Sequence, residues 1–165
     1  MRKSLMLAAG LAVPTAALAA SPALAGSLNV TIPRQGVAEY HKPYVGIWIE
    51  PRGGGEARTL AVWYEIKKGG NEPGTKWLKD LRTWWRKGGR SLKMPADGVS
   101  GATRAPGAYR IPLPDNIRPG AYTLFVEAAR ENGGRELVSI PLSVPIKNAS
   151  TAGKSELGAI SITVR

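Results

Sequence analysis

Residues 121–144 read AYTLFVEAAR, then ENGGR, then ELVSIPLSV. The first and third segments are rich in β-branched and aromatic residues, which favour the pleated backbone of a strand. Between them, Asn132, Gly133 and Gly134 tolerate the positive φ angles of a tight turn. The stretch therefore predicts a β-hairpin, and it sets the expected fold class for the rest of the chain.

Shorter runs elsewhere repeat this pattern, with apolar residues at every second position as in a half-buried strand. They are Leu28, Val30 and Ile32; Val45, Ile47 and Ile49; Leu60, Val62, Tyr64 and Ile66; and Ile160, Ile162 and Val164. Trp63 is placed on the opposite face of the third run. Because glycine and proline separate the runs, about seven strands are expected in an all-β, immunoglobulin- or fibronectin-like sandwich. The sequence leaves the strand order open.

One segment departs from the strand pattern. Between residues 76 and 87 the apolar residues recur at helical spacing, and Gly88 and Gly89 follow as a stop signal. These apolar residues are Trp77, Leu78, Leu81, Trp84 and Trp85. We therefore predict one amphipathic helix inserted between strands. The next stretch, from Gly88 to Gly107, has no periodicity and predicts a long loop, a feature that is usually functional or disordered in a compact domain.

The start of the chain has the pattern of a secretory signal peptide. Arg2 and Lys3 precede an apolar stretch over residues 5–20, and Ala23-Leu24-Ala25 forms an A-x-A cleavage signature. Residues 1–25 are thus expected to be removed, leaving residues 26–165 as a single exported domain of 140 residues. No later segment is long and apolar enough to span a bilayer, so the mature protein is not expected to be membrane-spanning.

Composition narrows the classes of function. The net charge of +11 falls to +9 when Arg2 and Lys3 are removed with the signal peptide. For an exported protein this charge favours anionic membranes, acidic redox partners or a phosphate-bearing cofactor over nucleic acid. Cysteine is absent and His41 is the single histidine, so the sequence offers no thiolate or histidine-cluster metal site. A redox role would therefore need an organic cofactor.

The most specific motif is Asp97-Gly98-Val99-Ser100-Gly101-Ala102-Thr103. It resembles the D-G-x-S-G-A-T acceptor of bacterial flavin transferases, as found in covalent-FMN subunits of sodium-pumping NADH:quinone reductases and Rnf-type complexes. The resemblance implies that a transferase, with FAD and magnesium, attaches FMN through its phosphate to the Thr103 hydroxyl. The motif's small residues suit entry into another enzyme's active site. The alternative is a glycine-rich turn with no cofactor.

The wider order of features carries a second resemblance. The signal peptide, the tryptophan-rich segment, the motif and the run PGAYTLFVE at residues 119–127 are similar to a family of predicted periplasmic bacterial proteins of unassigned function. That resemblance implies a periplasmic electron carrier served by a flavin transferase and by a membrane electron-transfer partner. Trp84, Trp85 and Arg104 are predicted contacts of the flavin or its phosphate, with Lys93 and Arg110 as further basic neighbours.

No acid–base pair, catalytic triad or metal cluster is evident, so we expect a carrier rather than an enzyme. Glu127 and Glu131 are expected to form exposed cross-strand pairs with Arg130. The alternative function is an exported, non-redox binding module for polysaccharide, cell wall or a protein partner. Exposed, coplanar tryptophans would favour the module, whereas tryptophans buried near the motif would favour the carrier.

Overall fold

The computed structural model describes residues 26–66 and 73–164. The signal peptide predicted over residues 1–25 lies outside the described residues. The described chain forms nine strands: β1 (Gly26–Ile32), β2 (Tyr44–Pro51), β3 (Arg58–Tyr64), β4 (Ser100–Ala102), β5 (Gly107–Pro112), β6 (Gly120–Ala129), β7 (Arg135–Val144), β8 (Ala149–Ala152) and β9 (Ala159–Val164). It also forms 3-10 helices over Gly74–Asp80 and Gly89–Ser91, and one short α-helix, α1 (Arg82–Arg86).

The strands are arranged in two sheets. The first has the order β5-β1-β9-β8, and the second has the order β4-β3-β2-β6-β7. Neighbouring strands are antiparallel except β3 and β4, which run parallel. The prediction of an all-β sandwich with a small helical insertion is therefore confirmed.

The predicted hairpin is formed by β6 and β7. Ala129 lies opposite Arg135 at its turn, and the Arg130 nitrogen donates a hydrogen bond to the Gly134 oxygen at 3.0 Å. Asn132 has a φ of 52°, a left-handed conformation that asparagine tolerates better than most residues. The turn chemistry read from the sequence thus sets the register of the longest strand pair.

Apolar side chains from both sheets fill the space between them. The alternating residues of β1, β2, β6 and β9 are buried there, as a half-buried strand pattern requires. The main contributors are Leu28, Val30, Ile32, Val45, Ile47, Ile49, Leu124, Val126, Ile140, Leu142, Ile160 and Ile162. Trp63 projects from β3 into the same core.

The second sheet is buried on its outer face as well. There the helical segment packs over a second apolar cluster of Tyr44, Trp48, Val62, Tyr64, Leu78, Leu81 and Trp84. Trp48 and Phe125 stack within it at a centroid distance of 5.1 Å. Within residues 26–66 and 73–164, no helix has the length and apolarity needed to cross a membrane.

The prediction of one continuous helix over residues 76–87 is wrong. The segment is a 3-10 helix over Gly74–Asp80 followed by the five-residue α1, and Leu81 between them has the non-helical angles φ −74° and ψ 70°. The apolar spacing nevertheless predicts the buried side of the segment, because Leu78, Leu81 and Trp84 are all buried against the sheet. The break arises from a contact distant in sequence.

That contact is the carboxylate of Glu127 on β6, whose side chain is fully buried. It accepts hydrogen bonds from the backbone nitrogens of Thr83, at 3.0 Å, and Trp84, at 2.8 Å, in the first turn of α1. Arg135 donates to its other oxygen at 2.6 Å. The carboxylate therefore caps α1, and the predicted exposed cross-strand role of Glu127 is wrong.

Two other acidic residues fasten the hairpin to the segment between β8 and β9. Glu156 accepts two hydrogen bonds from Arg130, at 2.9 and 3.0 Å, and both side chains are nearly buried. Arg130 is thus paired with Glu156, not with Glu131 as the exposed-pair prediction required. Glu136 on β7 accepts hydrogen bonds from the backbone nitrogens of Lys154, Ser155 and Leu157.

Replacing Glu127 by glutamine should destabilise the fold. The amide would leave Arg135 without its counter-charge and would turn an N–H group toward backbone N–H donors. For a buried, charge-assisted network we expect the free energy of unfolding to fall by about 2–4 kcal/mol. Chemical unfolding measures this, with the exposed Glu56→Gln as a matched control expected to change little. Equal stability of the two variants would contradict the capping role.

Glu136 should make stability depend on pH. Burial alone would raise the pKa of this carboxyl above 4.5, but hydrogen bonds from Lys154, Leu157 and Ser155 outweigh it and hold the pKa lower. The stabilisation is therefore present above the unfolded-state pKa and is lost as the pH falls through the folded-state pKa.

The measurement is the unfolding free energy of the wild type and of Glu136→Gln across the acid range. The variant should be less stable at about pH 7, where an unperturbed glutamate is ionised, and the difference should shrink as the pH falls below 4.5. A difference that stays constant over that range would argue against the bound carboxylate as its source.

Candidate functional site

The motif at residues 97–103 lies at the edge of the second sheet. Ser100–Ala102 forms β4, which pairs in parallel with β3. Val62 donates its backbone N–H to Val99 at 2.9 Å, and Thr103 donates its own to Tyr64 at 3.2 Å. The predicted long loop thus contains a short edge strand, and the pairing with β3 reaches Thr103, the predicted acceptor.

A tight turn precedes this strand. The Ala96 carbonyl accepts hydrogen bonds from Val99, at 3.2 Å, and from Ser100, at 2.9 Å. The hydroxyl oxygen of Ser100 in turn accepts the N–H of Ala96 at 2.9 Å. Gly98 has a φ of 69°, which glycine adopts without strain. Ser100 is therefore a structural part of the turn, and Asp97 is exposed beside it.

Gly101 allows β4 to lie against a tryptophan. A Cβ atom at this position would be 3.1 Å from Cδ1 of Trp63, closer than normal packing allows. Thr103 lies two residues beyond Gly101, just after the last residue of β4. Thr103 itself is half-buried.

A cleft of about 500 Å³ opens beside the motif. It lies between the edge strands of the two sheets, β4 and β5, and its volume is within the range of about 300–1,000 Å³ that is usual for small-molecule sites. Its wall includes Gly98, Val99, Ser100 and Gly101 of the motif together with Leu60, Trp63, Arg104, Tyr109, Arg110 and Asp115. Four motif residues therefore line this open cleft, and Thr103 is not among its lining residues.

An aromatic pair and a cation occupy the wall of this cleft. Trp63 and Tyr109 meet edge to face, with ring centroids 5.7 Å apart. The guanidinium carbon of Arg104 lies 5.3 Å from the Trp63 ring centroid and 5.4 Å from that of Tyr109, within cation–π range of both. Arg104 thus lies over two rings, one residue after Thr103.

The structure does not bring Trp84 or Trp85 into the cleft. Trp84 is 1% exposed, and its indole N–H donates to the Thr59 hydroxyl at 3.0 Å beneath the helical segment. Trp85 is half-buried against the same outer cluster, on which Val99 also packs. Both tryptophans belong to this outer layer, and their predicted contact with flavin stays a prediction.

The aromatic residues that line the cleft are Trp63 and Tyr109, neither of which was predicted as a site residue. Trp63 was correctly placed opposite Val62 and Tyr64. Its contact with Tyr109 could not be predicted, because that contact depends on β5 being the edge strand of the first sheet. The alternation of Tyr109 and Ile111 in β5 was the available signal.

A second cavity, of about 370 Å³, lies at the hairpin turn, away from the motif. Arg130 and Arg135 line it, but they are ion-paired with the buried carboxylates of Glu156 and Glu127, respectively. Across residues 26–66 and 73–164, no three His, Asp or Glu side chains are grouped as they would be around a metal ion.

Two alanine substitutions in the motif should separate backbone strain from packing. Gly98→Ala meets open space, so its cost should be that of a left-handed alanine, roughly 1 kcal/mol. Gly101→Ala instead presses on Trp63 and should also shift tryptophan fluorescence. Unfolding curves and emission spectra test this, and an unchanged spectrum for Gly101→Ala would contradict the close contact.

The comparisons with known proteins give a family. A family model described as "Predicted periplasmic protein (DUF2271)" matches residues 25–159, which include β1 to β8, the motif and the cleft. No curated protein and no solved structure matches the chain. The description agrees with the periplasmic localisation expected from the signal peptide. The chain belongs to this family of predicted periplasmic proteins.

Proposed function

We propose that this protein is a periplasmic electron carrier with FMN linked through its phosphate to Thr103. The observation that carries the proposal is the position of the acceptor motif, four of whose residues line a ligand-sized cleft at a sheet edge. A glycine-rich turn without a cofactor would explain Gly98, Ser100 and Gly101, which have structural roles in it, but not Asp97, Ala102 and Thr103 in their places.

The attachment would use a transferase to activate the threonine. A hydroxyl is a weak nucleophile without a base or metal. The oxygen of Thr103 would form the new bond to phosphorus, the pyrophosphate bond of FAD would break, and AMP would leave while the hydroxyl proton passes to the transferase. Magnesium bound by that enzyme would offset the phosphate charge. The chain itself contributes a short edge strand that another protein can reach.

The cleft has groups suited to such a cofactor. Trp63 and Tyr109 would offer aromatic rings once Arg104, which now lies over both, moves aside, while Arg104 and Arg110 offer positive charge for a phosphodiester. When bound, FMN supplies one- and two-electron transfer that no side chain of this protein provides. The residues of the chain would orient it, limit its contact with water and set the local charge.

A membrane electron-transfer partner fits the proposed role. The outer helical segment and the chain leading to the motif expose seven basic side chains and one acidic side chain, Asp80. The basic residues are Lys76, Lys79, Arg82, Arg86, Lys87, Arg90 and Lys93. Such a surface favours encounter with an acidic partner and makes the encounter rate sensitive to salt.

The binding-module alternative lacks its expected surface. Sugar-binding modules of that kind would present exposed, coplanar aromatic rings. All five tryptophans lie in the described ranges, and none is exposed: Trp48, Trp63 and Trp84 are buried, and Trp77 and Trp85 are half-buried. This distribution favours the carrier.

Intact mass of the protein co-produced with a flavin transferase in a bacterial periplasm tests the attachment. We expect a gain of one FMN less one water in the wild type and in Ser100→Ala, since the bond is placed on Thr103. Thr103→Ala should show no gain, and Thr103→Ser should retain some, because it keeps a hydroxyl.

An unmodified wild type, in cells whose transferase modifies a second substrate, would refute the proposal. Modification that persists in Thr103→Ala but is lost in Ser100→Ala would move the bond to the serine. Circular dichroism of each variant confirms that any loss of modification is not a loss of fold.

A further inference from the structure

We infer that the flavin ring is seated in the cleft between β4 and β5, against Trp63 and Tyr109, with Arg104 as the residue that sets its charge environment. The inference rests on the proposed attachment at Thr103 and adds the site where the ring is held. It assigns the aromatic contacts of the flavin to Trp63 and Tyr109 in place of Trp84 and Trp85.

The covalent geometry limits where the ring can go. The cofactor would be tethered one residue before Arg104 and two residues after Gly101, both of which line the cleft. Gly101 has no side chain to cover the edge of Trp63, so the path from the threonine toward that ring is clear of side-chain atoms at this position. This cleft, unlike the cavity at the hairpin turn, has neighbours of Thr103 in its wall.

The wall chemistry suits a flat, electron-poor ring. Trp63 and Tyr109 are electron-rich and stand nearly perpendicular to each other, at 69°, so a ring can stack on one while meeting the edge of the other. The planar guanidinium of Arg104 lies at that position, over both rings. A planar group is thus already accommodated there, and Arg104 is exposed enough to move aside.

The other tryptophans do not offer an equivalent surface. Trp84 is packed against Gly46 and Gly89, where added Cβ atoms would lie 2.9 and 2.6 Å from its ring. A flavin could reach it only by removing the helical segment from the sheet. Trp85 lies on that same outer layer, whereas the cleft lies between the two sheets.

The fluorescence of the attached flavin distinguishes the two locations. Tryptophan and tyrosine quench flavin emission at contact, so the modified protein should be several-fold dimmer than the same Thr103-linked flavin after complete proteolysis. Trp63→Phe should recover part of that emission, because phenylalanine keeps an aromatic ring but is a poor electron donor. Trp85→Phe should recover none.

The reduction potential tests the role of Arg104. A ring that gains negative charge on reduction is stabilised by a neighbouring cation, so Arg104→Gln should lower the potential of the attached flavin. Arg86→Gln, which removes an exposed arginine from the outer helical layer, is the matched control and should leave the potential nearly unchanged.

The outcomes distinguish the position of the flavin ring from its attachment to Thr103. A protein of unmodified mass overturns both. If the modified protein emits as strongly as its proteolysed peptide, the attachment at Thr103 stands but the position of the ring in the cleft is refuted. Recovery of emission in Trp85→Phe alone refutes that position as well. Quenching relieved by Trp63→Phe, together with a lowered potential in Arg104→Gln, supports the seat.

Discussion

The buried carboxylate of Glu127 holds the helical layer on the sandwich. Its two oxygens take the free N–H groups of Thr83 and Trp84 and the guanidinium of Arg135, so one side chain satisfies the helix start and neutralises a charge. With α1 fixed, Trp84 packs on β2 at Gly46. The outer cluster then provides the surface on which Val99 rests, and thereby positions the motif.

The cleft depends on a second constraint, the meeting of one edge from each sheet. β4 closes the second sheet and β5 closes the first, and Trp63 and Tyr109 touch across the gap between them. Neither edge strand is long, and β4 has three residues. The cavity is therefore a property of the whole topology, although the four motif residues in its wall are consecutive in the chain.

Local patterns predicted the elements whose causes are local. Alternation located β1, β2, β3 and β9, and the Asn132 turn gave the hairpin. Three strands, β4, β5 and β8, were missed because glycine, proline and short length obscure their alternation. The helix was predicted too long because Glu127, distant in sequence, caps it at Thr83. Trp63 was placed opposite Val62 and Tyr64, but only the packing of the two sheets shows that Trp63 faces the core between them and borders a cleft.

The pairing of β4 with β3 has a consequence for solubility. An uncovered β3 would present a row of free N–H and C=O groups, the surface on which sheets of separate molecules join. Three residues of the motif, Ser100 to Ala102, cover that row with a strand too short to recruit another in turn. A substitution that displaces β4 would thus expose the unpaired backbone groups of β3, and the protein would then tend to self-associate through that edge.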